Sequence, residues 1–384
     1  MTAREIVIDA FRAACARVDL PGRVRSALGA AGPFVVIAAG KAATAMLAGV
    51  PEFERALVVV PRGSPHPPAD PRVTVIEASH PIPDESSVRA AEAAIALAAS
   101  DSPCERLFLI SGGASSLLCA PCEGLTLERK RAITQKLLDE DAPIGEINVV
   151  RRHLSRIKGG GLARACGARP RRTLIVSDVL SNAPRAIGSG PSVEDETTVE
   201  DARRIASARG LGALPFVETW KHGERHEILA SPLAFAEIVA SELHARGLSN
   251  VGASSNETWP TLEAHVQRYA KIASGMRPGD ALVFAAEAPV HVAVANARGG
   301  RCTHLATLVA QHLPEGVVFA AIATDGVDGA SGTGGAIVSG ALPGADLALA
   351  RFATGPLHLA AGTALPESPT GVNFADLHVL VRAY

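Results

Sequence analysis

An apolar run over 107–110 opens into Ser111-Gly112-Gly113-Ala114-Ser115-Ser116, two glycines and three hydroxyls where a core strand should end. Glycines let backbone N–H groups approach a ligand, and successive amides make a concave cradle suited to anions. Gly40-Lys41 places a cation at the end of another apolar run, where a helix begins. The stretch 186–192, AIGSGPS, is a second glycine–serine loop and carries Ser189 and Gly190. Asp178 in VSDVL, and Asp325 and Asp328 in ATDGVDG, are carboxylates beside Gly or Ser that could hold Mg²⁺ or accept a hydroxyl proton. Two anion cradles, a lysine and strand-end carboxylates together make the inventory of phosphoryl transfer, where catalysis is mostly positioning and charge stabilisation.

Other chemistries fail on spacing. VVIAAGKA has Val35 where a Walker A loop needs its first glycine, and Ala42 follows the lysine. GSGPSV (188–193) and GGGLAR (159–164) miss the dinucleotide fingerprint. GASSL (113–117) ends in Leu117 where a nucleophile elbow needs glycine, which counts against an acyl hydrolase using Ser115 or Ser116 with His80 or His153. Cys119 and Cys122 form a lone C-x-x-C without a second pair. Cys302 and His304 lack further metal ligands nearby.

These residues need elements to position them. Aliphatic runs of four to eight residues, each ending in Gly, Ser, Asp or Glu, alternate with helical segments: 34–47, 106–118, 172–184, 281–290 and 317–329, with 56–63 and 72–85 as further strands entering loops. That alternation marks buried parallel strands joined by crossover helices, and ligands bind beyond the carboxyl ends of such strands. Helices are expected at 83–100, at 125–138 from an N-cap at Thr126, and over 146–165. In the last, Ile147, Val150, Leu154 and Ile157 share one face and Arg151, Ser155 and Lys158 another, a solvated surface being the plain alternative for the basic face. Gly159-Gly160-Gly161 then signals a turn or a close backbone approach. Periodicity fades over 210–232, which reads as a boundary; 233–276 reads as helix, short strand and helix; strands follow at 281–286, 290–296, 316–323 and 376–382.

The bulk numbers exclude several classes. Lys+Arg total 37 against 39 Asp+Glu, a net charge of −2, so nothing favours nucleic acid or an anionic membrane. Six cysteines in 384 residues are not a disulfide framework, and no apolar run approaches a membrane span. A soluble cytoplasmic protein with reduced thiols is expected. Six of the 37 basic residues are lysines, and Lys41 and Lys158 each adjoin a glycine.

The segments GKAA (40–43), SHPIPDE (79–85), SGGASSLL (111–118), INVVRRHLSRIKGGGLA (147–163), SDVLSNAPRAIGSGP (177–191), TDGVDG (324–329) and SPTGVNFADL (368–377) occur in that order. As a set they resemble the class II glycerate kinases, or glycerate 2-kinases, which carry a C-terminal MOFRL domain. The resemblance implies ATP- and Mg²⁺-dependent phosphorylation of D-glycerate to 2-phosphoglycerate in a cleft between domains. It implies Lys41 and Arg301 as catalytic residues; one of Asp178, Asp325 or Asp328 is expected to align the attacking hydroxyl, with Asp178 counted among the catalytic residues. The substrate and phosphate contacts would come from Ser111, Gly112, Gly113, Ser115, Ser116, His80, Lys158, Ser189 and Gly190. Asp325, Gly326, Asp328 and Glu287 would lie on the nucleotide side, with Asp178 and Asp328 toward the metal. ATP and a small hydroxy acid are the expected partners, without nucleic acid or membrane, and a homodimer is the one assembly considered.

Three segments depart from the family pattern: Gly299-Gly300-Arg301-Cys302-Thr303-His304 where GGRNQE is usual, Ala285-Ala286-Glu287 for GGE, and Ala330-Ser331 for Pro-Thr. They leave as alternative a catalytically weak or inactive relative that binds nucleotide or phosphate. The expected fold is α/β in two domains: a larger N-terminal glycerate-kinase-like domain (1–230) with a doubly wound, mainly parallel, Rossmann-like sheet, a connecting segment (231–279), and a smaller MOFRL-like α/β domain (280–384) with a mixed sheet.

Overall fold

The structure is a computed structural model that describes residues 1–384 except Glu224, Thr258, Ala293 and Ala295. The chain forms two compact units. One holds Asp19–Ser177 and Asn182–Ala230, the other Met1–Val18, Asp178–Ser181 and Ser231–Tyr384.

The first unit is built on six strands: β1 (Phe34–Ala39), β2 (Phe53–Pro61), β3 (Val73–Ala78), β4 (Glu105–Ser111), β5 (Arg171–Val176) and β6 (His226–Ala230). Their order is β3-β2-β1-β4-β5-β6 and every neighbouring pair is parallel. All six residues of β1 are buried, as continuous apolar strands covered on both faces must be. The chain winds outward from β1 through β2 to β3, then returns to β4 and winds the other way. The winding reverses between β1 and β4, and the crevice beyond their carboxyl ends is the binding position of such sheets. Gly40-Lys41 leaves β1 there, and the 111–116 loop leaves β4 there.

The second unit carries a mixed sheet of β7 (Asn250–Ser255), β8 (Asp280–Ala286), β9 (Val317–Ala323), β10 (Thr333–Val338), β11 (Ala364–Pro366) and β12 (Asp376–Arg382). The order is β11-β10-β9-β12-β8-β7. Only β7 and β8 are parallel neighbours; the remaining pairs are antiparallel. Helix Arg301–Ala310 packs Cys302, Leu305, Ala306 and Val309 into a core with Tyr269, Phe284 and Phe319.

The helices at Glu85–Ala98 and Leu127–Asp139 form where the sequence places them, the second capped by the Thr126 hydroxyl accepting from the Arg129 amide. The expected 146–165 helix is two pieces, Ile144–His153 and Gly161–Ala165. Ser155 explains the break. Its hydroxyl accepts the Ile157 and Lys158 amides at 3.3 and 3.2 Å, while the Arg156 amide goes to the Ala120 carbonyl at 2.9 Å, so helix bonds are replaced by local and tertiary ones. Strand β6 lies in the stretch read as a boundary; its first two residues are exposed, which hides the apolar pattern. Residues 231–279 are integral to the second unit rather than a connector, and the N-terminal helix Ala3–Ala16 belongs to that unit too. The strand expected over 290–296 includes Ala293 and Ala295, which lie outside the described residues; the described residues of that stretch are not in a strand. No helix among the described residues is long and apolar enough to cross a membrane.

Candidate functional site

At the switch point the turns after β1 and β4 are clasped together. The Lys41 amide donates to the Gly112 carbonyl at 2.9 Å, and the Ala42 amide donates to Ser111 Oγ at 3.0 Å. Gly40 is obligatory here: a Cβ would stand 2.2 Å from Ser111 Oγ and 2.6 Å from the Ser111 carbonyl oxygen. Gly113 has φ +87, and a Cβ on it would meet the His80 ring at 3.2 Å and Lys41 Cγ at 3.6 Å. Lys41, His80 and the 111–113 turn therefore share one small neighbourhood. His80 stays exposed; what burial it has, followed by the Lys41 ammonium, pulls its imidazole below the usual range.

The three hydroxyls of the loop divide. Ser111 and Ser116 are buried and turn inward, Ser111 serving the Ala42 amide and Ser116 donating to the Gly113 carbonyl at 3.1 Å. They shape the turn, and their side chains are not set toward a ligand as the sequence suggested. Ser115 is different. Its Oγ shares a 2.8 Å hydrogen bond with Ser189 Oγ and accepts from Arg151 Nη2 at 2.6 Å and Lys158 Nζ at 3.0 Å. Ser189 reaches it because the chain runs through left-handed backbone at Gly188, Ser189 and Gly190. Lys158 is not on a solvated face: it is 2% exposed, its Nζ also donating to the Ser115 and Leu118 carbonyls, and burial with Arg151 nearby drives its pKa well down.

In the second unit Arg301 opens helix Arg301–Ala310 beside the adjoining ends of β8, β9 and β12. Asp376 pairs with Ala286 on one side and Ala323 on the other, which brings Glu287, Asp376 and the 324–329 turn to one sheet edge. The Arg301 guanidinium donates to Glu287 and to Asp376 Oδ1 at 3.2 Å, and its Nε lies 3.1 Å from Asp376 Oδ2 as an ion pair without a hydrogen bond. Burial pulls Arg301 down, but the two carboxylates outweigh it and hold the guanidinium above its ordinary value. Burial pushes the Asp376 carboxyl up to about 7 even against Arg301.

Asp328 is taken from the expected metal set by this geometry. It is 3% exposed, and its two oxygens accept the Cys302 and Thr303 amides at 2.9 Å each, so it satisfies the first turn of the helix. Asp325 is half-buried at the end of β9, one oxygen taking the Val327 amide at 3.1 Å. The close approach of Gly326 to the Ser368 carbonyl joins TDGVDG to the SPTGVNFADL segment. Asp178 is half-buried two residues past β5. Among the described residues no group of three or more His, Cys, Asp or Glu could hold a metal ion.

His153 is fully buried, its ring nitrogens 2.8 Å from the Val217 carbonyl oxygen and 3.1 Å from Thr197 Oγ1, so it serves packing and no serine. None of the six cysteines is in a disulfide, Cys119 and Cys122 included. Most departures from the family pattern face inward: Cys302 and Thr303 are fully buried and Ser331 bonds Thr333, while His304, half-buried, stacks on Phe352 at 4.5 Å and Ala330 is exposed. Three residues escaped the sequence reading as site residues: Lys130, Arg151 and Asp376. The scarcity of lysines was the available signal for Lys130; Arg151 and Asp376 lay inside segments already singled out.

Comparison with known proteins agrees with this layout. Residues 3–218 match a domain of unknown function, DUF4147, and residues 280–376 match the MOFRL family. A provisionally named hydroxypyruvate reductase of Agrobacterium vitis is 36% identical over 374 residues, covering 88% of this chain and 83% of that protein. The D-glycerate 2-kinase of Thermotoga maritima is 33% identical over 338 residues, covering 80% and 78%. A crystal structure of glycerate kinase from Thermotoga maritima aligns with a TM-score of 0.86 at 26% identity, over 99% of both chains.

Proposed function

The chain belongs to the class II glycerate kinases that carry a MOFRL domain, a family of phosphotransferases, and from that premise we propose that it transfers the γ-phosphoryl group of ATP to the 2-hydroxyl of D-glycerate. The observation that carries the reading is the clasp at the switch point, where Lys41 emerges beside Gly113 and His80. A lysine there neutralises charge that builds on a transferring phosphoryl group, and the turn supplies main-chain contacts to phosphate.

The two units differ in local charge. Among the described residues the basic groups around Ser115 have no carboxylate partner, whereas Arg301 lies among Glu287 and Asp376 on the edge that carries Asp325. The acidic edge suits the Mg²⁺ that accompanies a nucleotide. Mg²⁺ is usually held by one or two carboxylates plus the phosphates, so it needs no preformed protein cage. Asp325 and Asp178 would hold it, and when bound it would offset charge on the phosphates. Arg301, anchored by its two carboxylates, is rigid enough to present its remaining N–H groups to the nucleotide or acid. A relative without turnover is not favoured, because the substituted Cys302 and Thr303 fill core space instead of facing a ligand.

A coupled ADP-release assay across small hydroxy acids tests the proposal, with ³¹P NMR to locate the phosphate. D-glycerate should give ADP and a C2 phosphate ester. Hydroxypyruvate-dependent oxidation of a reduced nicotinamide, with no ADP formed from any acid, would overturn it.

A further inference from the structure

Lys130, Arg151 and Lys158 line a single cavity of about 380 Å³ together with Arg131, Pro81, Ser115 and Cys119, and no Asp or Glu is among its described lining residues. The elements that bring them together are separate. Lys130 comes from helix Leu127–Asp139, Arg151 from helix Ile144–His153, and Lys158 from the turn that follows. Nearby basic residues of the same segment have acidic partners: Arg152 pairs with Asp195 at 2.9 Å, and Arg156 pairs with Glu92. Among the described residues none of Lys130, Arg151 and Lys158 has one, while Arg131, the fourth basic residue of the lining, is exposed.

Among the described residues their bonds go to neutral oxygens only. Lys130 Nζ donates to the Arg151 and Leu154 carbonyls at 3.3 and 2.5 Å. Lys158 spends its three N–H groups on the Ser115 and Leu118 carbonyls and Ser115 Oγ. Arg151 donates once to Asn148 Oδ1 at 3.3 Å and once to Ser115 Oγ at 2.6 Å.

Arg106 elsewhere in the unit gives the contrast. It is fully buried without a carboxylate, but it makes five bonds to the Ala98, Ser100, Ser102 and Cys104 carbonyls and Ser100 Oγ, which uses all five of its donors. Arg151 uses two, so three donors of a planar fork remain in a cavity already holding two lysines. Burial, reinforced by neighbouring cations, lowers Lys130 to about 8 and Lys158 and Arg151 below their ordinary values. An anion in the cavity relieves that strain, and a guanidinium fork fits a carboxylate with two parallel bonds.

We propose that this cavity is the carboxylate subsite of the acid acceptor, with Arg151 as the residue that reads the carboxylate and Lys130 and Lys158 as the positive wall behind it. Ser115 links it to the phosphate turn: it is two residues from Gly113, which lies against Lys41. The identity of the acid rests on the kinase reading; the charge of its recognised end does not. Selection falls on a small acid carrying an ionised carboxylate next to the reacting hydroxyl, and the uncharged amide of the same acid is rejected.

The test compares D-glycerate with glyceramide in the full-length enzyme. Arg151→Gln should raise the KM for D-glycerate about 30-fold, as expected for a lost hydrogen-bonded charge contact, with the KM for ATP within about two-fold. Its preference for acid over amide should largely vanish. An unchanged acid KM in a folded Arg151→Gln enzyme overturns the subsite and leaves the kinase reading standing. Arg151→Lys keeps the charge without the fork and carries the same test, with a smaller rise, should the glutamine variant not fold. A crystal of the wild-type enzyme grown with D-glycerate gives a readout free of any variant: the carboxylate on Arg151 supports the subsite, and the carboxylate on other residues sinks it. Calorimetric binding of D-glycerate that is lost in Arg151→Gln, with no ADP formed by the wild type, would keep the subsite while removing the kinase reading.

Discussion

The Lys41 main chain is tied to Gly112 by a 2.9 Å bond from amide to carbonyl. One cation is thereby fixed over a turn that arrives from a strand formed some seventy residues later. The Ser111 hydroxyl takes the next amide, Ala42, at 3.0 Å, so the geometry is held twice. The Lys41 side chain is exposed beyond this clasp and contributes little to the core.

Chemistry and folding are therefore separable at Lys41. Lys41→Ala should lower kcat by roughly two to three orders of magnitude, the usual cost of removing a group that stabilises transition-state charge. Thermal unfolding should stay within a degree or two of wild type. Steady-state kinetics and calorimetry on the same preparation check both halves.

At Gly40 they are not separable. Gly40→Ala drives a methyl into Ser111 Oγ and the Ser111 carbonyl, both inside contact distance, at φ +124. A loss of about 2–4 kcal/mol is expected from overpacking and backbone strain. Denaturant unfolding would show it as a lower midpoint. Activity should fall with the population of folded protein and with the displaced 111–113 turn.

Asp328 distinguishes a cap from a metal ligand. Asp328→Ala frees the Cys302 and Thr303 amides in a buried place, so stability should drop by about 2 kcal/mol. The Mg²⁺ concentration giving half-maximal turnover should not move. A shift of ten-fold or more in that concentration would return Asp328 to the metal.

Asp376 gives a pH signature. Burial raises its carboxyl from 3.8 to about 7, so between those values the unfolded chain ionises while the folded state keeps its proton. Its contribution to stability is full below about pH 4, falls as pH rises and is lost through about pH 7. Asp376→Asn removes this titration. The stability of wild type minus that of the variant should therefore decline between those limits, by roughly 1.4 kcal/mol per unit where steepest, and flatten above. Urea unfolding across the range measures it; a flat difference would mean Asp376 is ionised throughout.

Much of this layout is local and could be read along the chain. Continuous aliphatic runs specify buried strands, which are parallel in the first unit and mostly antiparallel in the second, Thr126 fixes a helix start, and glycines, serines and acids at strand ends mark where ligands can approach. The strands whose pattern failed were β6, exposed at its start, β10, opened by Thr-Gly-Gly, and β11, only three residues long. The fate of each polar side chain was a different matter. Whether a serine bonds a ligand or its own turn separates Ser115 from Ser111 and Ser116, though the three share one loop. Whether an aspartate caps a helix is decided for Asp328 by a segment 25 residues away. Ser115 meets Ser189 across 74 residues and Lys158 across 43. Residue type sets which bonds a group can make, and sequence alone determined that inventory here. Which partners come within bonding distance depends on the strand order and the burial it imposes, and only the tertiary structure fixes those.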